Sequence, residues 1–364
     1  MEKEIKHLKY FKVECFKGLE SVELNDIAQF NIVLGDNNVG KTSVLEALLF
    51  DEHPFTLLRR FYSMMSFKGL SSNEAKDYYN SLEFFFSNEK DDKVITYTVS
   101  YNQLQKNEFQ FSIVDTNGMT EENIDNLKNN TLVDLSQLPN TIVLIKLNGM
   151  TNFYTTDINL YRQKKSAEIS YQPFIKSGLS YDNDLVQFFS STVNNDLKLR
   201  KEFISNLHFL SDEIAEITID STTVPNNPIL MVLFNNNKRP IPLFMMGNGT
   251  IRMVRLILEI MMCKDNRLMI DEIDDGLHFS KMKKAWGIVL EVAKKYNTQL
   301  FITTHNSECL KMFKEVLEDE RFEKIQKDVM VYNLFKNSEN KVLNVDYSFK
   351  EFENAIENNI EIRG

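Results

Sequence analysis

Gly35-Asp36-Asn37-Asn38-Val39-Gly40-Lys41-Thr42 has the form G-x-x-x-x-G-K-[ST], a complete phosphate loop. Before it, Phe30-Asn31-Ile32-Val33-Leu34 reads as a short buried strand. After it, Val44, Leu45, Leu48 and Leu49 repeat with helical spacing. Strand, glycine loop and helix are the arrangement that lets backbone N–H groups wrap phosphates, with the partial positive charge of a helix N-terminus behind them. On this reading Lys41 reaches the β- and γ-phosphates of a nucleoside triphosphate and the Thr42 hydroxyl holds Mg²⁺.

A second constellation lies more than two hundred residues downstream. Leu268-Met269-Ile270-Asp271-Glu272 is an apolar strand ending in two carboxylates, the form of a Walker B segment. Asp271 is expected to bind the metal, directly or through water, and Glu272 to polarise the attacking water. Paired acids at a strand end are common as solvated turns; next to an intact phosphate loop the catalytic reading is preferred. His305 closes a further buried-looking strand, with Thr303 and Thr304 before it and Asn306-Ser307-Glu308 after it. There it is expected to hydrogen-bond the γ-phosphate and sense hydrolysis. Met246-Gly247-Asn248-Gly249-Thr250 places two glycines ahead of a helix read as starting at Thr250, a second anion-binding helix N-terminus. Since the phosphate loop already serves one nucleotide, the second loop is expected to cap the γ-phosphate of a nucleotide held by another subunit.

The 364 residues allow two or three ordinary domains, or one nucleotide-binding domain with a large insertion. An apolar fraction of 43% is that of a globular protein with a core, and a formal net charge of -10 argues against a protein that coats nucleic acid non-specifically. Cys15, Cys263 and Cys309 are far apart and lack C-x-x-C spacing, which points to small buried residues rather than a disulfide framework or a zinc site. No membrane-length apolar run and no secretory leader are visible, so the expectation is a cytoplasmic protein without a membrane partner.

The text divides into four stretches. Residues 1–50 carry β segments around Ile5–Phe16 and Ser21–Leu24 and then the phosphate loop. Residues 51–240 alternate β-like runs at Leu82–Phe86, Val94–Tyr101, Phe109–Val114 and Thr141–Leu147 with Asn- and Asp-rich turns. Asn183–Ile214 then turns helical through Leu185, Phe188, Phe189, Val193, Leu197, Phe203, Leu207 and Leu210, without a heptad repeat that would make a long coiled-coil arm. Strand-like pairs return at Ile214–Ile219 and Ile229–Phe234. Residues 241–325 alternate helix and strand, which implies a mainly parallel sheet with the chemistry at strand ends. Residues 326–364 read as two strands, Val329–Phe335 and Val342–Tyr347, and a last helix near Phe349–Ile360.

In this order the motifs resemble the ABC-type ATPase heads of the SMC, RecF and OLD (overcoming lysogenization defect) proteins, most of all the short AAA-labelled ATP-binding members found beside bacterial anti-phage genes. The matching text is Leu34–Leu48, Met246–Thr250, Ile270–His278 and Thr303–Ser307. The resemblance implies an α/β P-loop NTPase of ABC type, with an antiparallel β lobe and a helical lobe inserted between Walker A and the signature motif. It implies ATP and Mg²⁺ as ligands, held by Gly35, Asp36, Asn37, Asn38, Val39, Gly40, Lys41, Thr42 and Ser43. It makes Gly247, Asn248, Gly249 and Thr250 the signature loop, Asp274–Leu277 the D-loop and His305 the switch histidine. It further implies a two-fold dimer or higher oligomer with ATP sandwiched between heads, controlling an effector protein encoded nearby. Two departures stand out. The signature is not the Leu-Ser-Gly-Gly-Gln of transporters, and no motif places the family's Q-loop glutamine, for which Gln103, Gln105 and Gln110 are candidates. The alternative is a RecF-like DNA clamp, with Lys6, Lys9, Lys12, Lys17, Lys198, Arg200 and Lys201 lining a groove for nucleic acid. A built-in nuclease is disfavoured, because 59 residues follow His305 where such a domain needs about a hundred, and no acidic constellation surrounds Asp346 and Glu351.

Overall fold

Alternation organises the centre of the molecule. In Phe30–Gly35, Phe30, Ile32 and Leu34 enter one apolar core while Val33 enters another. Leu268 and Ile270 oppose Met269 in Arg267–Ile270, and Leu300 and Ile302 oppose Phe301 in Gln299–Thr303, in the same way. Strands buried on both faces need a covering layer on each side. The computed structural model describes residues 7–50, 54–67, 82–86, 93–102, 104–115, 120, 125, 141–154, 173–178, 181–208, 212–223, 227–236 and 239–358, and supplies both layers.

In chain order the elements are β1 (Tyr10–Phe16), β2 (Leu19–Leu24), β3 (Phe30–Gly35), α1 (Lys41–Ala47), α2 (Pro54–Phe67), β4 (Val94–Ser100), β5 (Asn107–Asp115), β6 (Thr141–Leu147), β7 (Met150–Tyr154) and β8 (Phe174–Ile175). Then come α3 (Asn183–Phe189), α4 (Leu197–Leu207), β9 (Ile214–Asp220), β10 (Ile229–Phe234), β11 (Ile241–Pro242) and α5 (Asn248–Met262). The chain continues through β12 (Arg267–Ile270), α6 (Phe279–Lys295), β13 (Gln299–Thr303), α7 (Ser307–Leu317), β14 (Val329–Lys336), β15 (Val342–Ser348) and α8 (Phe349–Glu357). The central sheet has the order β15-β14-β3-β13-β12-β8, parallel throughout except for β15. On one face lie α3 to α8; on the other lie α1, α2 and an antiparallel sheet of order β2-β1-β4-β5-β6-β7. Because β1 pairs with both β2 and β4, this second sheet draws strands from either side of the phosphate loop. A small sheet, β11-β10-β9, leads into α5.

The expected α/β architecture is present, with local differences. Leu82–Phe86 is not a strand: Glu83–Phe85 is a 3₁₀ turn, and Phe86 makes only an isolated bridge to Phe16. The buried residues there are Leu82, Phe85 and Phe86, while Phe84 is exposed, which is helical spacing rather than alternation. Pro54–Phe67 is a helix in a stretch to which the sequence reading assigned no element; Leu57, Phe61, Met64 and Met65 carry its buried face. The helix expected from Thr250 begins at Asn248, capped by Gly247. Leu197, expected on an apolar face, is exposed at the start of α4. Lys6, Gln103 and Leu210 lie outside the described residues. All three cysteines are buried and none forms a disulfide, and burial pushes the Cys309 thiol up to about 12, a poor nucleophile. Among the described residues no helix is long and apolar enough to cross a membrane.

Candidate active site

At the end of β3, Gly35 has a φ of +136°, and a Cβ there would lie 2.4 Å from the Leu334 carbonyl oxygen and 2.8 Å from Val39 Cγ1. Glycine is required on both counts. Asn38 and Gly40 also take positive φ, and a Cβ on Gly40 would meet Leu19 Cδ2 at 2.8 Å. Val39 is anchored in the core between exposed Asp36, Asn37 and Asn38 and the start of α1. Lys41 Nζ turns back over the loop and donates to the carbonyls of Gly35 (2.7 Å) and Asp36 (2.9 Å). The ammonium thus crosses the concave side of the loop, where phosphate charge would gather. Thr42 is exposed and Ser43 half-buried.

The strand β12 brings Asp271 to the same place. Its carboxylate accepts from Thr42 Oγ1 (3.0 Å) on one oxygen and from Thr303 Oγ1 (2.6 Å) on the other. Burial pushes the Asp271 carboxyl above its ordinary value. The two hydroxyl donors pull it back, while the charges of Glu272 and Glu46 add to the rise. Thr303 Oγ1 also accepts from the Glu272 N–H at 2.9 Å, so one hydroxyl orients both acids. Glu272 adopts a φ of +50°, a strained backbone conformation directly after the strand. Its Oε1 lies 3.4 Å from His305 Nδ1 and its Oε2 accepts from Ser177 Oγ at 2.6 Å. One residue on, Thr304 Oγ1 donates to Asp274 at 2.7 Å and accepts from the Asn306 N–H, which links the turn after Glu272 to the cap of α7.

Thr42, Asp271, Glu272 and His305, picked out separately along the chain, therefore meet in one group. The loop Gly247–Thr250 stands beside it. Gly249 packs on the turn after β12, where a Cβ would sit 3.0 Å from the Gly276 carbonyl oxygen, whereas a Cβ on Gly247 would meet nothing within 4 Å. Its link to the acids is Arg252 on α5, 2% exposed, which donates to the carbonyls of Lys176 (2.8 Å), Asp271 (2.8 Å) and Glu272 (3.0 Å).

Sequence reasoning missed Arg252, Ser177 and the role of Thr303. An arginine within a helix otherwise rich in Ile, Leu, Val and Met was the visible signal for Arg252; Ser177 follows a two-residue edge strand too short to show any period. Among the glutamine candidates, Gln105 donates to Asn107 and Gln110 to Glu108, both on the antiparallel sheet. The basic residues offered for a groove are partly engaged elsewhere: Lys12 with Glu14, Lys17 with buried Glu46, and Arg200 with Glu216. Asp346 accepts from Asn344 and Glu351 completes a capping box at Ser348, and among the described residues neither joins a cluster of three candidate metal ligands. Glu318, Glu353 and Glu357 do converge, but Lys314 Nζ bonds Glu318 and Glu357 at 2.6 and 3.0 Å.

The donor set around Asp271, a carboxylate facing the Thr42 hydroxyl, consists of hard oxygens and fits Mg²⁺; the cradle at Gly35, which no Cβ could enter, fits phosphate oxygens. Residues 7–327 match the RecF/RecN/SMC N-terminal domain family. The chain is 24% identical over 343 residues to an "ATP/GTP phosphatase" of Helicobacter pylori, covering 85% of this chain and 88% of that protein. Its fold is similar to that of a solved SmcHead bound to the C-winged helix domain of ScpA, with a TM-score of 0.54 and 13% identity over 94% of this chain and 98% of that one.

Proposed function

The chain belongs to the RecF/RecN/SMC N-terminal domain family and is an ATPase with an ABC-type head; from that premise we propose that it works as an ATP-dependent dimerising switch. The observation that carries the reading is Asp271, held between Thr42 and Thr303 with Glu272 and His305 beside it.

In this proposal Gly35–Ser43 bind the triphosphate, Lys41 and the backbone amides countering its charge. Thr42 and Asp271 hold Mg²⁺, which when bound neutralises charge on the β- and γ-phosphates. Glu272 accepts a proton from the attacking water, and its Oε1 faces His305, which reads the γ-phosphate. Gly247, Asn248, Gly249 and Thr250 close the pocket of a second copy, since they project beside their own acids and Gly247 has open space around it. Two copies related by a two-fold axis would exchange these loops and trap two nucleotides. Hydrolysis then releases the pair. A "phosphatase" acting on ATP or GTP, as the Helicobacter pylori relative is named, is consistent with this chemistry.

The finer proposal is that the switch regulates a separate effector in a bacterial anti-phage system. What supports it is the motif text shared with the short ATP-binding proteins of such systems. The engagement of Lys12, Lys17 and Arg200 in ion pairs within the chain weighs against these three as the lining of a duplex groove.

Size-exclusion chromatography with light scattering tests the switch. Wild type with Mg²⁺ and ATP should shift from monomer to dimer, and Glu272→Gln should hold the dimer longer while turnover falls about a hundredfold or more. A protein that stays monomeric under both conditions overturns the reading.

A further inference from the structure

The end of β8 places a hydroxyl where the proposed base needs one. β8 runs parallel to β12 in the register Ile175↔Ile270, and the Asp271 N–H donates to the Ile175 carbonyl at 2.8 Å. Two residues beyond each member of that pair stand Ser177 and Glu272, so the ladder itself carries the serine to the glutamate. Ser177 Oγ donates to Glu272 Oε2 at 2.6 Å, and the Gly178 N–H donates to Asp275. Gly178 itself takes a φ of +73°.

Arg252 fixes the spacing between the two strands. Its planar guanidinium reaches the carbonyl of Lys176, directly before Ser177, and those of Asp271 and Glu272. One buried group therefore ties the serine's backbone to that of the base. Glu272 is 35% exposed in its side chain, and a free carboxylate at that exposure would move among rotamers. Here each oxygen has its own neighbour, His305 on one side and Ser177 on the other.

We propose that Ser177 is a positioning residue for ATP hydrolysis, holding Glu272 in the orientation that activates water, and that Arg252 sets Ser177 in place. Arg252 sits on α5 two residues after the loop Gly247–Thr250, so the pose of the base follows the seating of that helix. The inference rests on the role proposed for Glu272.

Steady-state ATP hydrolysis with Mg²⁺ tests it in Ser177→Ala, Ser177→Thr and Arg252→Lys, each alone and with Glu272→Gln. Ser177→Ala should lower kcat about tenfold to a hundredfold with the KM for ATP within about twofold, because orientation and not binding is lost. Ser177→Thr, which keeps the hydroxyl, should recover most of kcat. Arg252→Lys keeps the charge but cannot span three carbonyls, and should lower kcat in the same way. With Glu272→Gln present, Ser177→Ala should have no further effect. Wild-type kcat in Ser177→Ala, or failure of Ser177→Thr to recover it, overturns the inference even if Arg252→Lys does not fold. Wild-type turnover in Glu272→Gln would instead overturn the role of the base, which is a separate result.

Discussion

Two glycine loops open helices in this chain, and they are built in opposite ways. Gly35–Thr42 is closed on itself: Gly35 touches the backbone of β14, Gly40 touches Leu19, Lys41 folds over the loop and Thr42 reaches Asp271. Gly247–Thr250 is open at its tip. Gly247 takes an ordinary φ of -60°, its helix has no side-chain cap, and the neighbouring Phe244 and Met245 are exposed. Behind that tip α5 is buried from Ile251 to Met261, and Arg255 bridges Glu259 (2.9 Å) and Asp182 (2.6 Å). The first loop needs its glycines for the fold. The second sets a bare loop on a rigid support, the construction expected of a surface that meets something outside its own subunit.

Gly35→Ala breaks the comparison most strongly. A methyl group at 2.4 Å from a carbonyl oxygen and a positive φ together should lower stability by about 3 kcal/mol or more in urea unfolding, and abolish nucleotide binding. A loss below about 1 kcal/mol would mean that the loop has slack and the contrast is wrong.

Asp271→Asn separates stability from function at the acid that the closed loop reaches through Thr42. Burial raises the Asp271 carboxyl in the folded state, so the folded protein holds that proton more tightly than the unfolded chain does. Its contribution favours folding below the unfolded value and is lost as pH rises through the folded one. At neutral pH the charge is therefore a cost. The amide should raise stability by about 0.5–2 kcal/mol at pH 7 in thermal or urea unfolding while hydrolysis is lost. Acidification should shrink the gain; a gain that grows toward low pH would reverse the sign assigned here.

Gly247→Ala probes the open loop and should change stability least, within about 0.5 kcal/mol, because the added methyl group meets nothing within 4 Å. ATP-driven dimerisation should nevertheless weaken severalfold in light scattering. Unchanged dimerisation would remove this position from the proposed interface.

How much was legible in advance depended on how local each feature is. The phosphate loop is eight contiguous residues whose needs are written in their identities, glycine for positive φ and lysine and threonine for the phosphate and metal roles proposed here. Asp271, Glu272 and His305 were legible as residues at the ends of apolar strands. The α/β class followed from alternating periods, and the region least well read was 51–100, where the helical spacing of Leu57, Phe61, Met64 and Met65 was passed over and Leu82–Phe86 was read as a strand.

By itself the sequence determined the chemistry proposed for this chain: a glycine loop for a triphosphate, a threonine hydroxyl for a metal, and two carboxylates at a strand end for metal and base. Only the tertiary structure decided which groups act together. Thr42 meets Asp271 across 229 residues, and Thr303 bonds Asp271 and Glu272 from the neighbouring strand. Arg252 and Ser177 join through a two-residue edge strand. The physical reason is that local conformation depends on neighbours in the chain, whereas the partners of a side chain depend on strand order and register, and those follow from how two cores pack against the faces of one sheet.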